Sequence, residues 1–203
     1  MVGRCFWKFT PRWAVYLGLC AAVCAVIGGA AETGADESLS LEYEVKAAFL
    51  FNFTKFVEWP PKVFPDANAP FIIGVLGEDP FGDALEKTLS GQVVKGRRVE
   101  IRRSRRPEEL QNCHILFISQ SEGEAIAGIL DSLKGKSILT ISDAEAFAGS
   151  GGIIGFIKQE NKIRFEINTE AAAKAHLEIS SKLLALSRIV SPAKEGGQHA
   201  YHS

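Results

Sequence analysis

The sequence predicts an α/β protein, a three-layer sandwich on a mostly parallel sheet of about six strands with a C-terminal antiparallel hairpin. Three observations carry this expectation. Short continuous apolar runs, FIIGVL at 71–76, HILFI at 114–118 and SILTI at 137–141, have the pattern of strands buried on both faces. Segments of helical spacing lie between strands, and that alternation implies a largely parallel sheet covered on both sides. Finally, 152–158 and 162–168 are separated only by Gln159, Glu160 and Asn161, a loop that returns the chain antiparallel.

Taken in order, residues 1–31 read as a cleaved signal peptide. Arg4, Lys8 and Arg12 make a positive start, 13–27 carry no charge, and Gly28, Gly29, Ala30 and Ala31 are small residues that suit a cleavage site after Ala30 or Ala31. The alternative is an uncleaved anchor, but the uncharged run is shorter than the roughly 20 residues a spanning helix needs. Residues 32–40 are a small, polar, flexible lead. Ser40 is placed to cap a helix over 41–57, with Glu42 and Glu44 in its first turn and a stripe of Leu41, Val45, Ala48, Phe49, Phe53 and Phe56. Trp59 and Pro60-Pro61 stop it. Beyond the strand at 71–76 come a loop (GEDPFG), a short helix over 83–89, an alternating strand at 98–103, a helical turn at 107–110 and the strand at 114–118. A helix over 122–133, the strand at 137–141 and a short helix over 143–148 follow. After the hairpin, Thr169 begins a last helix running to about Leu186. Residues 41–190 thus form one domain, and 191–203, with Pro192, Gly196 and Gly197, a disordered tail.

The net charge of −1 argues against a nucleic-acid partner. Arg102, Arg103, Arg105 and Arg106 are the one basic cluster, either a solvated edge or an attraction for an acidic partner surface or anionic lipid heads. Removing the signal leaves Cys113 alone, so no intramolecular disulfide can form. Beside an apolar strand it reads as a buried small hydrophobe, with an intermolecular bridge as the alternative. There is no G-x-S-x-G elbow, Walker loop or H-E-x-x-H, and His114, His176, His199 and His202 lack ligand spacing. The expectation is a protein without catalytic residues, metal or cofactor.

In open parallel sheets ligands sit at the carboxyl ends of the strands. Those ends offer Gly77, Glu78 and Asp79, then Ser119, then Ser142 and Asp143. The serines and Asp143 also suit caps and turns. Arg164, on the outer face of a hairpin strand, is a further candidate. For a protein interface, Phe51 points away if Phe49, Phe53 and Phe56 face the core. With Trp59, and with Arg102, Arg103 and Arg105, it would make a docking surface or dimer seam. The other reading is a helix buried around most of its circumference.

KAAFLFNFTKFVEWP at 46–60 resembles the opening helix of the YfiR family. FIIGVLGEDPFG at 71–82 is similar to its first strand and loop, CHILFIS at 113–119 and ILTISD at 138–143 to its middle strands, and GGIIGFIKQENKIRFEIN with AAAKAHLEISSKLLALSRIV to its hairpin and last helix. The segments keep the family's order over about residues 40–190. The resemblance implies a periplasmic homodimer that represses a membrane diguanylate cyclase by contacting its periplasmic domain, with an outer-membrane lipoprotein able to sequester it. The alternative is a periplasmic small-ligand sensor domain serving a histidine kinase. The family's best-known members carry disulfides, which the lone Cys113 does not provide for.

Overall fold

A computed structural model describes residues 33–191 of the chain; the predicted signal peptide and all but the first residue of the predicted tail lie outside them. The first helix, α1 (Thr33–Phe56), opens seven residues before the expected cap. Ser40 lies inside it, and the expected flexible lead is helical from Thr33. Nothing from 33 to 56 is a proline, so no residue there removes a helical donor. The sheet belongs to the unit from Ser40 onward.

The sheet has eight strands in the order β10-β8-β7-β6-β5-β2-β4-β3. These are β2 (Phe71–Leu76), β3 (Val93–Val94), β4 (Arg97–Ser104), β5 (Ile115–Ile118), β6 (Leu139–Ser142), β7 (Ile154–Gln159), β8 (Lys162–Asn168) and β10 (Arg188–Val190). The six expected strands are all present. The two that the sequence leaves unmarked, β3 and β10, are the short edges. The run β4, β2, β5, β6, β7 is parallel throughout, and β8 returns antiparallel to β7. The hairpin is therefore internal, because β10 adds itself parallel to β8. A separate antiparallel pair joins β1 (Val57–Glu58) to β9 (Glu178–Ile179).

Strand alternation sends the core to two faces. Phe71, Ile73, Val75, Ile115, Phe117, Leu139 and Ile141 pack on one side under α1 and α2 (Ala84–Leu89). Ile72, Leu76, Leu116 and Ile118 pack on the other under α3 (Ile126–Ser132) and the turn at 107–110. This is the predicted three-layer arrangement. Segment 120–125 is a 3-10 helix rather than the start of α3, and 143–148 is a series of turns.

The buried face of α1 differs from the expected stripe. Tyr43, Lys46, Ala47, Leu50, Phe53 and Thr54 face inward, whereas Leu41 is 61% and Val45 39% exposed. Two apolar stripes compete along this helix, and a lysine in the middle of one makes it look like the solvent side. The other end of the helix is fixed by aromatic packing. Phe53, fully buried, lies 5.2 Å edge-to-face from Phe165 and 6.1 Å from Phe156, and Phe49 stacks on it at 5.9 Å.

The predicted last helix is broken into α4 (Thr169–Lys174), β9 and α5 (Ser181–Leu184), and β10 follows it. Asn168, not Thr169, caps α4, accepting the Ala171 N–H with Oδ1 while Nδ2 donates to the buried Ala148 carbonyl. The break comes at His176. Its φ of 56° is left-handed, its N–H donates to the Ala173 carbonyl, and the Leu177 N–H donates to that of Ala172. That is the paired closure usually made by a glycine. With histidine in the place, the stop signal is absent from the sequence.

Truncating Phe53 to alanine should cost about 3–5 kcal/mol, because a filled, rigid aromatic cluster cannot collapse onto the void. Denaturant unfolding of the variant against wild type measures it.

Candidate functional site

At the carboxyl ends of the parallel strands, the polar residues are engaged with one another. Gly77 has φ +92°, and a Cβ there would lie 2.5 Å from Ser121 Oγ, so the turn out of β2 requires glycine. The neighbouring Glu78 N–H donates to Ser121 Oγ at 3.0 Å. Asp79 accepts the Phe81 N–H at 2.8 Å. Ser119 Oγ accepts the Ser121 N–H, and Ser142 Oγ accepts the Ala144 N–H. These hydroxyls shape turns, as side chains after a strand commonly do.

The arginines of β4 reach the same loops. Arg103 bonds to Asp79 at 2.5 Å and to Glu86 at 2.6 Å, and Arg105 to Glu78 at 3.3 Å. Arg106 pairs with Glu109 and Arg102 with Glu100. The fold thus brings two groups of candidates together, Glu78 and Asp79 with Arg103 and Arg105. It also turns the apparent basic cluster into a row of ion pairs. Hydrogen bonding to Arg103 holds Glu86 below its ordinary value although burial opposes it.

Asp143 goes elsewhere. Its Oδ2 accepts from the Tyr43 hydroxyl at 2.7 Å and from Lys46 at 2.6 Å. Lys46 also meets Glu42 at 2.8 Å, and Glu42 meets Lys158 of β7 at 3.1 Å. The Lys46 ammonium lies 4.1 Å from the centre of the Tyr43 ring. Lys46 is 3% exposed, and Asp143 Oδ1 is buried with no hydrogen-bond partner among the described residues. Burial, then the Asp143 carboxylate, push the Tyr43 hydroxyl well above its ordinary value. Burial would raise Glu42, but hydrogen bonds from Lys46 and Lys158 outweigh it and hold the carboxyl low. This network fastens α1 to the end of β6.

The remaining candidates scatter. Arg164 is exposed on β8. Phe51 is half-buried against the core, with the Lys55 ammonium 4.3 Å from its ring centre. Trp59 is a core residue, 6% exposed, edge-to-face with Phe71 at 5.0 Å. The surface role that the sequence suggested for it needs an exposed ring, and β1 turns that ring inward.

Trp59 leads to the opposite end of the sheet, which sequence reasoning passed over. Its Nε1 donates to the His114 carbonyl at 3.1 Å. The His114 ring is stacked between Phe64, at 4.5 Å, and Phe71, at 4.8 Å, and its Nδ1 accepts the Ile72 N–H at 2.9 Å. A ring nitrogen that accepts must be unprotonated. Burial drives the His114 pKa down to about 4. Beside it, Cys113 is buried and free, and burial pushes its thiol up to about 12. It is the small hydrophobe expected, closely packed: a Cβ on Gly74 would lie 2.7 Å from its sulfur.

Two cavities open at this amino-terminal end. One, of about 550 Å³, is lined by residues that include Ile72, Arg102, Asn112, His114, Lys136 and Ile138. The other, of about 620 Å³, lies between α3 and α4 and shares Lys136 and Ile138 with the first. Among the described residues no group of three or more histidine, cysteine or acidic side chains could hold a metal ion, and no helix is long and apolar enough to cross a membrane.

Fold and site together define an α/β domain that presents paired charges, an exposed helix face and shallow cavities. The chain belongs to the YfiR/HmsC-like family, whose model matches residues 43–188. That is a regulatory, non-catalytic family of diguanylate cyclase signalling. The described fold is also similar to the ABC domain in complex with L-Trp from Streptococcus pneumonia, at 11% identity and a TM-score of 0.45, covering 59% of this chain and 55% of that one. A conserved domain protein from Vibrio cholerae O1 biovar El Tor str. N16961 gives 12% identity and a TM-score of 0.44, covering 59% and 54%. The chain spans about half the length of these two structures. No curated protein matches it in sequence.

Two outcomes follow from the buried groups. Replacing Lys46 with methionine should destabilise the protein by about 3–5 kcal/mol, because Asp143 is left charged and unpaired in the interior; chemical denaturation of K46M reads this directly. His114 gives a pH dependence of defined sign. Between its ordinary 6.5 and about 4, the unfolded chain takes up a proton that the folded chain does not. The histidine's contribution is therefore complete above pH 6.5 and lost as pH falls toward 4. In His114→Asn, whose side-chain oxygen can accept the Ile72 N–H, unfolding midpoints should fall less steeply across that window.

Proposed function

We propose that this chain is a periplasmic regulator that binds the sensory domain of an inner-membrane diguanylate cyclase and represses it. The family match over 43–188 carries the reading, since it spans all but the ends of the domain. The signal-like order of the first 31 residues supports export. Control then requires no chemistry in the regulator. It needs only tighter binding to the inactive conformation of the cyclase than to the active one.

The exposed face of α1 is the docking element this reading uses. Leu41, Val45 and Ala48 follow one another at helical spacing on its outer side. An apolar strip on a rigid helix suits a groove on a partner. A homodimer and an outer-membrane lipoprotein that sequesters the protein complete the proposal. A second reading, a small-ligand sensor domain serving a histidine kinase, draws on the cavities at the amino end of the sheet.

Deleting the gene should raise cyclic-di-GMP and biofilm, and restoring it should reverse both; unchanged levels would overturn the repressor reading. In a binding assay with the cyclase's periplasmic domain, Leu41→Glu with Val45→Glu should weaken the complex at least about tenfold, as loss of central apolar anchors does. Both side chains are exposed, so the thermal midpoint of the free protein should not move.

A further inference from the structure

Segment 60–70 joins β1 to β2, and the hydrogen bonds of its own amides are local. Pro60, Pro61, Pro65 and Pro70 have no amide donor at all. Val63 and Phe64 donate to the carbonyls of Pro60 and Pro61, and Asn68 to Asp66 Oδ1, all within the segment. Side chains fasten it to the domain. Arg97 of β4 donates to the carbonyls of Asp66, Ala67 and Ala69 at 2.7, 3.1 and 2.8 Å. Phe64 reaches inward, its ring centre 4.5 Å from that of His114 and 4.1 Å from the Arg97 guanidinium.

The two attachments respond differently to acid. Arginine keeps its charge at every accessible pH, so Arg97 holds 66–69 throughout. The Phe64 contact rests on a neutral imidazole. His114 Nδ1 accepts the Ile72 N–H, and a proton on that nitrogen would set two donors against each other. His114 is 4% exposed, and its surroundings supply no counter-charge. Arg97 and Arg102 of β4 act on it, Lys136 borders the same cavity from the segment entering β6, and no carboxylate lines that cavity. The nearby acids are committed elsewhere: Glu100 to Arg102, Glu58 to Lys95, and Asp66 to the Asn68 N–H. Cys113 beside it is a buried, neutral thiol. Stacking on Phe64 offers a charged ring little, because Arg97 already lies over that face. Burial, then the two arginines, disfavour the charged form, and the cavity that His114 lines gives protons a way in.

We propose that segment 60–65 is an acid-released latch: a proton taken from solvent onto His114 Nδ1 expels the ring from between Phe64 and Phe71, and Phe64 swings out while the sheet stays folded. The bond from the Ile72 N–H breaks in the same step. Arg97 keeps 66–69 in place as the hinge, and the Phe71 and Trp59 rings are uncovered. With the latch open the imidazole returns toward its ordinary 6.5, and with it closed the value is about 4. The closed form therefore binds fewer protons, and closing weakens about tenfold for each pH unit between those values. The latch needs no partner. Its failure would leave the repressor reading standing, and loss of that reading would leave the latch.

With Trp7→Phe and Trp13→Phe, Trp59 is the sole tryptophan of the chain, and its indole donates to the His114 carbonyl. Its emission therefore reports the latch in the purified full-length protein. As pH falls from 6.5 through 4, that emission should shift to the red and the Ile72 amide should lose exchange protection, while far-UV circular dichroism holds. The His114 ring, followed by NMR, should titrate at the same midpoint. His114→Asn, which can accept the Ile72 N–H but does not titrate, should abolish the step. Phe64→Ala should show the red-shifted emission already at neutral pH. If H114N does not fold, coincidence of the His114 titration with the emission step in the parent protein decides in its place. The proposal is overturned by the absence of a step, by a step that persists in H114N, by one at a pH where His114 does not titrate, or by one that coincides with loss of circular dichroism.

Discussion

Three parallel strands of this sheet meet at one residue. His114 donates its N–H to the Ile72 carbonyl, and its own carbonyl accepts both the Leu139 N–H and the Trp59 indole. Its ring nitrogen takes the Ile72 N–H just where the β2–β5 ladder begins. A buried donor left unpaired costs about 1–3 kcal/mol, so this end of the sheet depends on the imidazole staying neutral. The stacking of Phe64 and Phe71 on the ring keeps it dry, and dryness keeps it neutral. Entry into β2, β5 and β6, and with it the shape of the adjoining cavity, follows from that one side chain.

The opposite end is organised by charge. Asp143, Lys46, Glu42 and Lys158 run from the end of β6 through α1 to β7. Buried ion pairs of this kind add little net stability compared with apolar packing, but they penalise alternative placements heavily. Here the alternative is concrete. Had α1 presented Leu41 and Val45 to the sheet, Lys46 would have turned away and Asp143 would have lost its partner. The pair therefore selects one face of a helix with two apolar stripes, and leaves Leu41 and Val45 exposed on the other.

The central strands were legible because burial on both faces leaves continuous apolar runs such as FIIGVL and HILFI. The edges were not. Val93–Val94 is too short to show a period, and so is Arg188–Val190, which follows the end of the expected last helix. The break before it depends on the left-handed backbone of His176, which composition does not reveal. At the site, Ser119, Ser142 and Asp79 were visible as turn residues. The opposite charges facing the arginines come from loops and helices far along the chain, so only the fold shows them paired. His114 was passed over because a histidine opening an apolar strand carries no sign that its ring will serve the backbone. A signal for Lys46 did exist: it is the one charged residue in the run Tyr43, Ala47, Leu50 and Phe53, and such an interruption asks for a buried acid.

The position of α1 sets the order in which the domain can be completed. It precedes every strand, yet Phe49 and Phe53 are covered by Phe156 and Phe165, about a hundred residues further along. A chain that emerges from its amino terminus must therefore display these two rings until nearly all of it has been delivered. Contacts so distant in sequence close late and leave apolar surface open to the wrong neighbours in the meantime. The helix that opens the domain is the one whose protection arrives last, and the interval between the two is when a holding chaperone would be needed.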